Sequence, residues 1–438
     1  MSERVAIAGG GLAGLAAAAA LGQAGYSVDL YEARPFLGGR ATSYPLPSSE
    51  SGEVIDNCQH ILLRCCVNLL DFYGRLGVSS AIQFHKRFNF IEPGGRTSTM
   101  EAGPLPVPLH FTGSFYRLQF LSLAEKISVG KALLAIRSER NTRRDLDRIT
   151  MLDWLREKRQ PPQAIERFWR QILVSAVNEE LDRMAAQHGF QVFWLGFLAA
   201  SNTYEMGIPA IPLGSLYAAE CWSRLPNVRI HFRSPVEEIL RGHDCIEGFR
   251  LPAGTVQADH YVSALPFERL QPLMPQLPIE WSAFSHAPIT GIHLWFDRSV
   301  TDLPHGTLLD RNLQWFFNKG EGRYLMLVVS ASRGMLEMSR NAIIELAEKE
   351  LAEFLPAVRQ AKLLKAHVVK EVRATFAASP GLEEKRPRAE TPYRNFFLAG
   401  DWTRSGWPAT MEGAVRSGYL AAEAVCSTPG RFLLPDIA

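Results

Sequence analysis

Apolar and polar positions divide the chain into short, alternating elements from its first residues onward. Val5-Ala-Ile-Ala8 predicts a buried strand, the alanine-rich run from Leu12 to Leu21 a helix, and Val28-Asp-Leu-Tyr31 a second strand. Glu53-Val-Ile-Asp56 reads as a strand entering a polar turn at Asn57–His60, and 62–76 as a helix stopped by Gly77. Ser122-x-x-Glu125 has the form of a capping box, opening a helix with apolar positions 123, 127, 130 and 134. Thr150-x-x-Asp153 opens another, which Pro161-Pro162 separates from a helix over 165–174. Between 228 and 266 the pattern turns to short strands: Val228–Phe232, Cys245–Phe249 and Tyr261–Ala264. Strands follow at Ile292–Phe296 and Tyr324–Ser330, then a helix at Asn341–Phe354. The last apolar strand, Phe396–Ala399, runs into Gly400-Asp401 and a closing helix of small residues. There are no repeats and no long low-complexity linker, so two interleaved domains are expected rather than two consecutive ones.

The glycines between the first strand and helix fall at Gly9, Gly11 and Gly14. That spacing suits a tight turn, close approach of backbone to a pyrophosphate, and close packing of helix on sheet. The helix N-terminus then points free N–H groups at the phosphates. Glu32 ends the second strand eighteen residues after Gly14, where a carboxylate accepts both hydroxyls of an adenosine ribose. A second glycine pair, Gly38-Gly39, follows with Arg40, whose planar fork suits phosphate oxygens. An NAD dehydrogenase needs no such second turn, so FAD is the better match; an ordinary turn with a surface arginine is the plainer reading of that piece alone.

Composition narrows the class. The 438 residues are 47% hydrophobic and 21% charged, ordinary for a globular protein, and the net charge of +2 gives no footprint for nucleic acid. Six scattered cysteines make no C-x-x-C pair and no zinc spacing, so no metal site is expected and a reducing compartment is. No apolar stretch reaches the roughly 18 residues of a spanning helix, and cleavage after 12–21 would remove the phosphate turn. A cytoplasmic protein, at most peripheral to the inner face of a membrane, is therefore expected.

The C-terminal run Asn395-Phe-Phe-Leu-Ala-Gly400-Asp401-Trp402, with Trp407-Pro-Ala-Thr-Met-Glu412-Gly, resembles the flavin motif of the amine oxidase and phytoene desaturase superfamily. Asp56-Asn-Cys-Gln-His60, Asn68-Leu-Leu-Asp-Phe-Tyr73, Asn178-Glu-Glu-Leu-Asp182 and 400–414 look more narrowly like the hydroxysqualene dehydroxylases, with Cys58 and Arg64 standing where that family usually has glycine. The resemblance implies an α/β protein. Its Rossmann-like FAD domain would be built from 1–85, 214–270 and 391–438, and an interleaved α+β substrate domain from 86–213 and 271–390. It implies FAD contacts from Gly9, Gly11, Leu12, Ala13, Gly14, Glu32, Ala33, Gly39 and Arg40, from Asp56, Asn57, Cys58, Gln59 and His60, and from Val236, Gly400, Asp401, Met411 and Glu412.

The implied reaction is reductive removal of the allylic hydroxyl of a C30 isoprenoid, with hydride from reduced flavin, to give squalene, a precursor of hopanoids and sterol-type triterpenes. Trp407 matches an aromatic wall of the flavin cage and would stabilise positive charge in the substrate; simple packing is the other reading. His60 is the candidate proton donor, since histidine titrates near neutral pH, or else a structural histidine. A phytoene-like desaturase and an amine oxidase remain alternatives, although no cysteine between Cys245 and Cys426 offers covalent flavin attachment. With no second glycine-rich turn for NADPH, electrons would come from a separate donor or transient NAD(P)H contact. Residues 103–136, apolar and backed by Arg137, Arg140, Arg143 and Arg144, have the composition of a membrane-interface segment, with Leu118, Phe120 and Leu121 as its contact. A stripe packed inside the protein is the other reading of the same residues.

Overall fold

A computed structural model describes residues 2–46 and 52–437. Its first layer is a five-stranded, wholly parallel sheet in the order 228–231, 27–31, 4–8, 260–263, 396–398. Apart from 4–8 and 27–31, neighbouring strands in this sheet are far apart in the chain. The central strand Arg4–Ala8 pairs with Ser27–Tyr31 on one side and His260–Ser263 on the other. Val5–Ala8 and Phe396–Leu398 are covered on both faces, which is why they read as unbroken apolar runs, whereas the edge strand 228–231 carries Arg229 and His231. The helix Leu12–Gln23 buries every residue from Leu12 to Gly22. It packs against the last helix, Met411–Cys426, at a distance only small residues allow: a Cβ on Gly418 would lie 2.2 Å from the Ala13 carbonyl oxygen.

The second layer is a seven-stranded sheet in the order 363–376, 286–296, 324–330, 315–320, 305–308, 88–91, 97–100, antiparallel except for the 305–308/88–91 pair. Alternation along its strands divides two cores. Ile91, Ile292, Leu308, Phe316 and Leu327 share one core with the helix Arg340–Phe354, whereas Phe88, Phe90, Trp315, Phe317 and Met326 belong to another, shared with the helices between 151 and 198. The fold is therefore mixed α/β, with a Rossmann-like parallel sheet beside a large mixed one.

Several elements differ locally from the sequence pattern. The helix expected over 62–76 begins only at Val67, because Leu62–Leu63 pairs as a strand with Met206–Gly207. The helix around 165 runs from Pro162 to Val177, with a widened turn at Ile165–Arg170, and stops at left-handed Asn178 (φ 60°). Asn178 Nδ2 donates to the Ala287 carbonyl and Thr375 Oγ1, and its Oδ1 accepts from Ala331 N–H, so this segment ties helix to sheet. Leu118, Phe120 and Leu121 are interior side chains, with Phe120 against Phe90 at 5.1 Å between ring centroids. They cannot be a surface contact. The outward side chains of that region are instead Leu105, Leu109, Tyr116, Leu123, Ile127 and Leu134. The arginine cluster behind them is partly engaged: Arg143 pairs with Glu157 and Asp145, and Arg140 lies 3.7 Å from the Trp194 ring centroid. Among the described residues no helix is long and apolar enough to cross a membrane.

Candidate functional site

The site begins where the first strand meets the first helix. Gly11 precedes that helix in an extended conformation, no side chain caps the helix, and its first turn holds no acid. Its leading N–H groups are thus left for an anion. A Cβ on Gly11 would meet Gly39 Cα at 4.0 Å, and Gly38 N–H donates to the Gly10 carbonyl at 2.9 Å, so the two glycine turns lie directly against each other. Gly39 adopts φ +63°, and a Cβ there would stand 3.1 Å from Gly11 Cα. Gly14 is required by packing, since its Cβ would lie 2.0 Å from the Gly9 carbonyl oxygen. Leu12 and Ala13 complete the turn, buried in the helix start.

Glu32 is buried at the end of the second strand and accepts the N–H groups of Gly10 and Arg34, each at 2.7 Å. Ser234 N–H donates to the Glu32 carbonyl oxygen, which brings half-buried Val236 alongside exposed Ala33 and the acid. These placements suit an adenosine end.

The other end of the cleft gathers residues from distant parts of the chain. Arg40 pairs with Asp401 at 2.7 Å and donates to the Ala374 carbonyl, joining the second glycine turn to Gly400-Asp401. Asp56 accepts from Ser43 Oγ and Leu213 N–H and pairs with Lys319 at 3.2 Å. Asn57 donates to the Arg40 carbonyl and to Glu371. Burial pushes the Cys58 thiol up to about 12, so it is held as a thiol. Gln59 Oε1 is buried with no partner among the described residues, an acceptor free for a ring N–H. His60 is a different case from the proton donor expected of it. Its Nδ1 lies 2.8 Å from the Cys58 carbonyl oxygen, which fixes the hydrogen on Nδ1, and burial pushes its pKa down. The neutral ring therefore offers a lone pair at Nε2, an acceptor.

Trp407 lies on the loop after Gly400-Asp401. Its indole N–H donates to Asp436 at 3.0 Å, and Asp436 also receives Arg416. Buried Arg386, which sequence pattern did not single out, pins the loop from behind by donating to the carbonyls of Asp401, Thr403 and Trp407. Met411 and Glu412 open the last helix. The Glu412 carboxylate accepts from Asn68 Nδ2 and the backbone N–H groups of Asn68 and Leu69, capping the helix Val67–Leu76. Burial pushes it up to about 7 against those hydrogen bonds.

From Trp407 and Met411 a cavity of about 180 Å³ reaches the large sheet, lined by Phe88, Phe90, Met100, Phe197 and Trp315 and mostly by carbon. The uncapped helix start, the paired glycine turns, buried Glu32 and the free acceptor on Gln59 fit FAD. Among the described residues no group of His, Cys, Asp and Glu is placed to hold a metal ion, and all six cysteines are free thiols.

Comparison with known proteins agrees. The family model described as flavin containing amine oxidoreductase matches residues 12–426. A probable zeta-carotene desaturase from Synechococcus elongatus is 27% identical, covering 96% of this chain and 98% of that protein. The 15-cis-phytoene desaturase of the same organism is also 27% identical, over 96% and 95%. Among solved structures, an oxidoreductase from Methanosarcina mazei superposes with a TM-score of 0.73 at 19% identity, covering 97% of this chain and all of that one. A putrescine oxidase bound to putrescine gives 0.71 at 15% identity, over 98% and 99%.

Proposed function

The chain belongs to the flavin containing amine oxidoreductase family, with FAD as its cofactor, and from that premise we propose that it reductively dehydroxylates a C30 isoprenoid alcohol, hydroxysqualene, to squalene. The observation that carries this reading is the cavity: a mostly carbon-lined space starting at the N-terminus of the last helix suits part of a hydrocarbon chain, and its one lining acid, Glu412, is engaged by Asn68 and Leu69. The narrower choice of alcohol rests on the motifs at 56–73 and 400–414.

Reduced FAD, when bound, supplies the hydride. The C–O bond breaks, the oxygen leaves as water after taking a proton, and the carbon receives the hydride pair. The protein's part is to hold the chain, exclude water and stabilise positive charge as the C–O bond lengthens. Trp407, locked by Asp436, presents a ring to the cavity for that purpose. Glu412 is the cavity-lining acid that keeps a proton near neutral pH, a better source than the His60 acceptor.

Desaturation is the second reading, favoured by the carotenoid desaturases at 27% identity over most of the chain. The test is anaerobic mixing. Reoxidation of the reduced protein by hydroxysqualene with squalene formed supports dehydroxylation; reduction of the oxidised protein by phytoene supports desaturation instead.

The substrate's source is a lipid phase, and the surface offers a contact for it. On the helix Leu123–Glu139, Leu123, Ile127 and Leu134 fall on one outward strip, beside exposed Leu105, Leu109 and Tyr116. Arg117, Lys131, Arg137 and Arg144 are exposed around them. Replacing Leu123, Ile127 and Leu134 by Ser should abolish co-sedimentation with anionic liposomes; equal pelleting would remove this contact.

A further inference from the structure

The cavity contains one polar side chain that the protein leaves unused. Of the lining residues that carry oxygen or nitrogen, Gln171 donates to the Gln314 carbonyl, Gln191 to the Gly406 carbonyl, and Ser175 accepts from the Trp315 indole. Thr410 accepts from Gly413 N–H, and Glu412 holds Asn68 and Leu69. Thr307 has no partner among the described residues, although its hydroxyl is fully buried. Two residues earlier on the same strand, and so on the same face of the sheet, His305 is buried with both ring nitrogens unpartnered. Its ring packs between the cavity-lining rings of Phe88 and Trp315, with centroids 6.5 Å and 6.2 Å away. Burial pushes the imidazole down to about 3, so it is neutral, with one N–H and one lone pair. Buried polar groups in native proteins are nearly always hydrogen-bonded, and an unpaired one costs stability. Three such atoms on one strand beside a carbon-lined cavity point to a ligand group.

We propose that Thr307, backed by His305, forms a hydroxyl-binding subsite that distinguishes an isoprenoid alcohol from the corresponding hydrocarbon. The inference rests on the dehydroxylation reading and deepens it. The alcohol substrate satisfies the orphaned groups and the hydrocarbon product cannot, so the site favours substrate entry and product release. A site built to hydrogen-bond a hydroxyl discriminates against the analogue lacking it, because its own polar groups are then left unpaired.

The test is equilibrium binding of radiolabelled hydroxysqualene and squalene to the FAD-loaded full chain. Wild type should hold the alcohol more tightly. Thr307→Val, nearly the same shape, should weaken the alcohol about five- to tenfold and leave the hydrocarbon within about twofold, while Thr307→Ser restores the preference. Unchanged hydrocarbon binding by Thr307→Val shows that the variant is folded. His305→Phe, which keeps the ring packing, should reduce the preference further in combination with Thr307→Val. If wild type binds both ligands equally, or Thr307→Val weakens both alike, the subsite is refuted and the dehydroxylation reading stands. If neither ligand binds wild type, both fall.

Discussion

The helices Leu12–Gln23 and Leu123–Glu139 begin in opposite ways. The second has a complete capping box: Ser122 Oγ accepts from Glu125 N–H, and Glu125 returns its carboxylate to Ser122 N–H at 2.7 Å. The first has no side-chain cap although it is the more deeply buried. A helix start costs free energy when its N–H groups go unanswered, so a protein that caps one helix with both partners and leaves a buried one bare has reserved the bare end. The bodies differ in the same sense. The first helix hides all its apolar residues, while the second turns Leu123, Ile127 and Leu134 outward. Unmet polar groups inside and unmet apolar groups outside each leave room for a partner: an anion in one case and, as proposed above, a lipid surface in the other.

Giving the first helix the cap it lacks should break the comparison most severely. At Gly11→Asp the new Cβ meets only Gly39 Cα, at an ordinary 4.0 Å, and the backbone conformation is already that of a cap. The carboxylate then occupies the place of the pyrophosphate and repels it. Purified protein should be colourless, yet as heat-stable as the wild-type apoprotein or more so, by ~1 kcal/mol. Full FAD content in this variant would show that the bare helix start serves something else.

A third helix start sharpens the rule. Val67–Leu76 has no cap of its own and borrows Glu412 from the last helix. Burial holds that carboxyl at about 7, above its ordinary 4.5. Its protonated form therefore stabilises the fold at low pH, and the contribution is lost as pH rises through about 7. The full span is roughly 3 kcal/mol at 1.36 kcal/mol per unit. Relative to wild type, Glu412→Gln should gain stability between pH 5 and pH 8, read as a difference in Tm at each pH. A difference that does not change with pH would mean Glu412 stays ionised in the fold.

Glu32 brings a smaller effect at the adenosine end of the same cleft. A hydrogen bond to a charged group contributes ~1.5–3 kcal/mol, so Glu32→Ala should lower the ratio of FAD to FMN affinity about ten- to 100-fold. Measuring the ratio separates the ribose contact from the loss of support for Gly10 and Arg34, which both flavins would feel. Equal loss for FAD and FMN would place the ribose elsewhere.

What could be read from the sequence follows from the same contrast. The strand, glycine turn and helix, with Glu32 at the end of the second strand, were legible because they are local and set by backbone geometry, so residue type and spacing carry them. Arg386 was not. It stands in Glu383-Glu-Lys-Arg-Pro-Arg388, a run that reads as a solvated surface, and only the fold of the 401–407 loop over it makes it buried. Thr307 and His305 alternate with Gly306 and Leu308 as a solvent face would, yet that face is roofed by helices far away in the chain. The segment 118–134 shows the limit most plainly. Its apolar residues were evident, but whether Leu118, Phe120 and Leu121 or Leu123, Ile127 and Leu134 face inward depends on Phe90 and its neighbours, which local periodicity does not see.

Removing the cap from the helix that has one completes the comparison with its mildest effect. Ser122→Ala deletes the oxygen that accepts Glu125 N–H, and Glu125 loses its reciprocal partner's anchor though not the Ser122 N–H itself. Such caps contribute ~1 kcal/mol, which in a protein larger than 250 residues lowers Tm by at most about 2–4 °C. The helix is held on its inner face by Val129, Ala132 and Ile136, so it should remain folded. FAD content should not change, because nothing at this helix start is reserved for the cofactor. The pair of variants then separates the two kinds of helix start: Gly11→Asp removes FAD without a loss of stability, and Ser122→Ala removes stability without a loss of FAD. If Ser122→Ala also released FAD, the cap would be coupled to the cleft, and the two helix starts would have to be read as one cooperative unit.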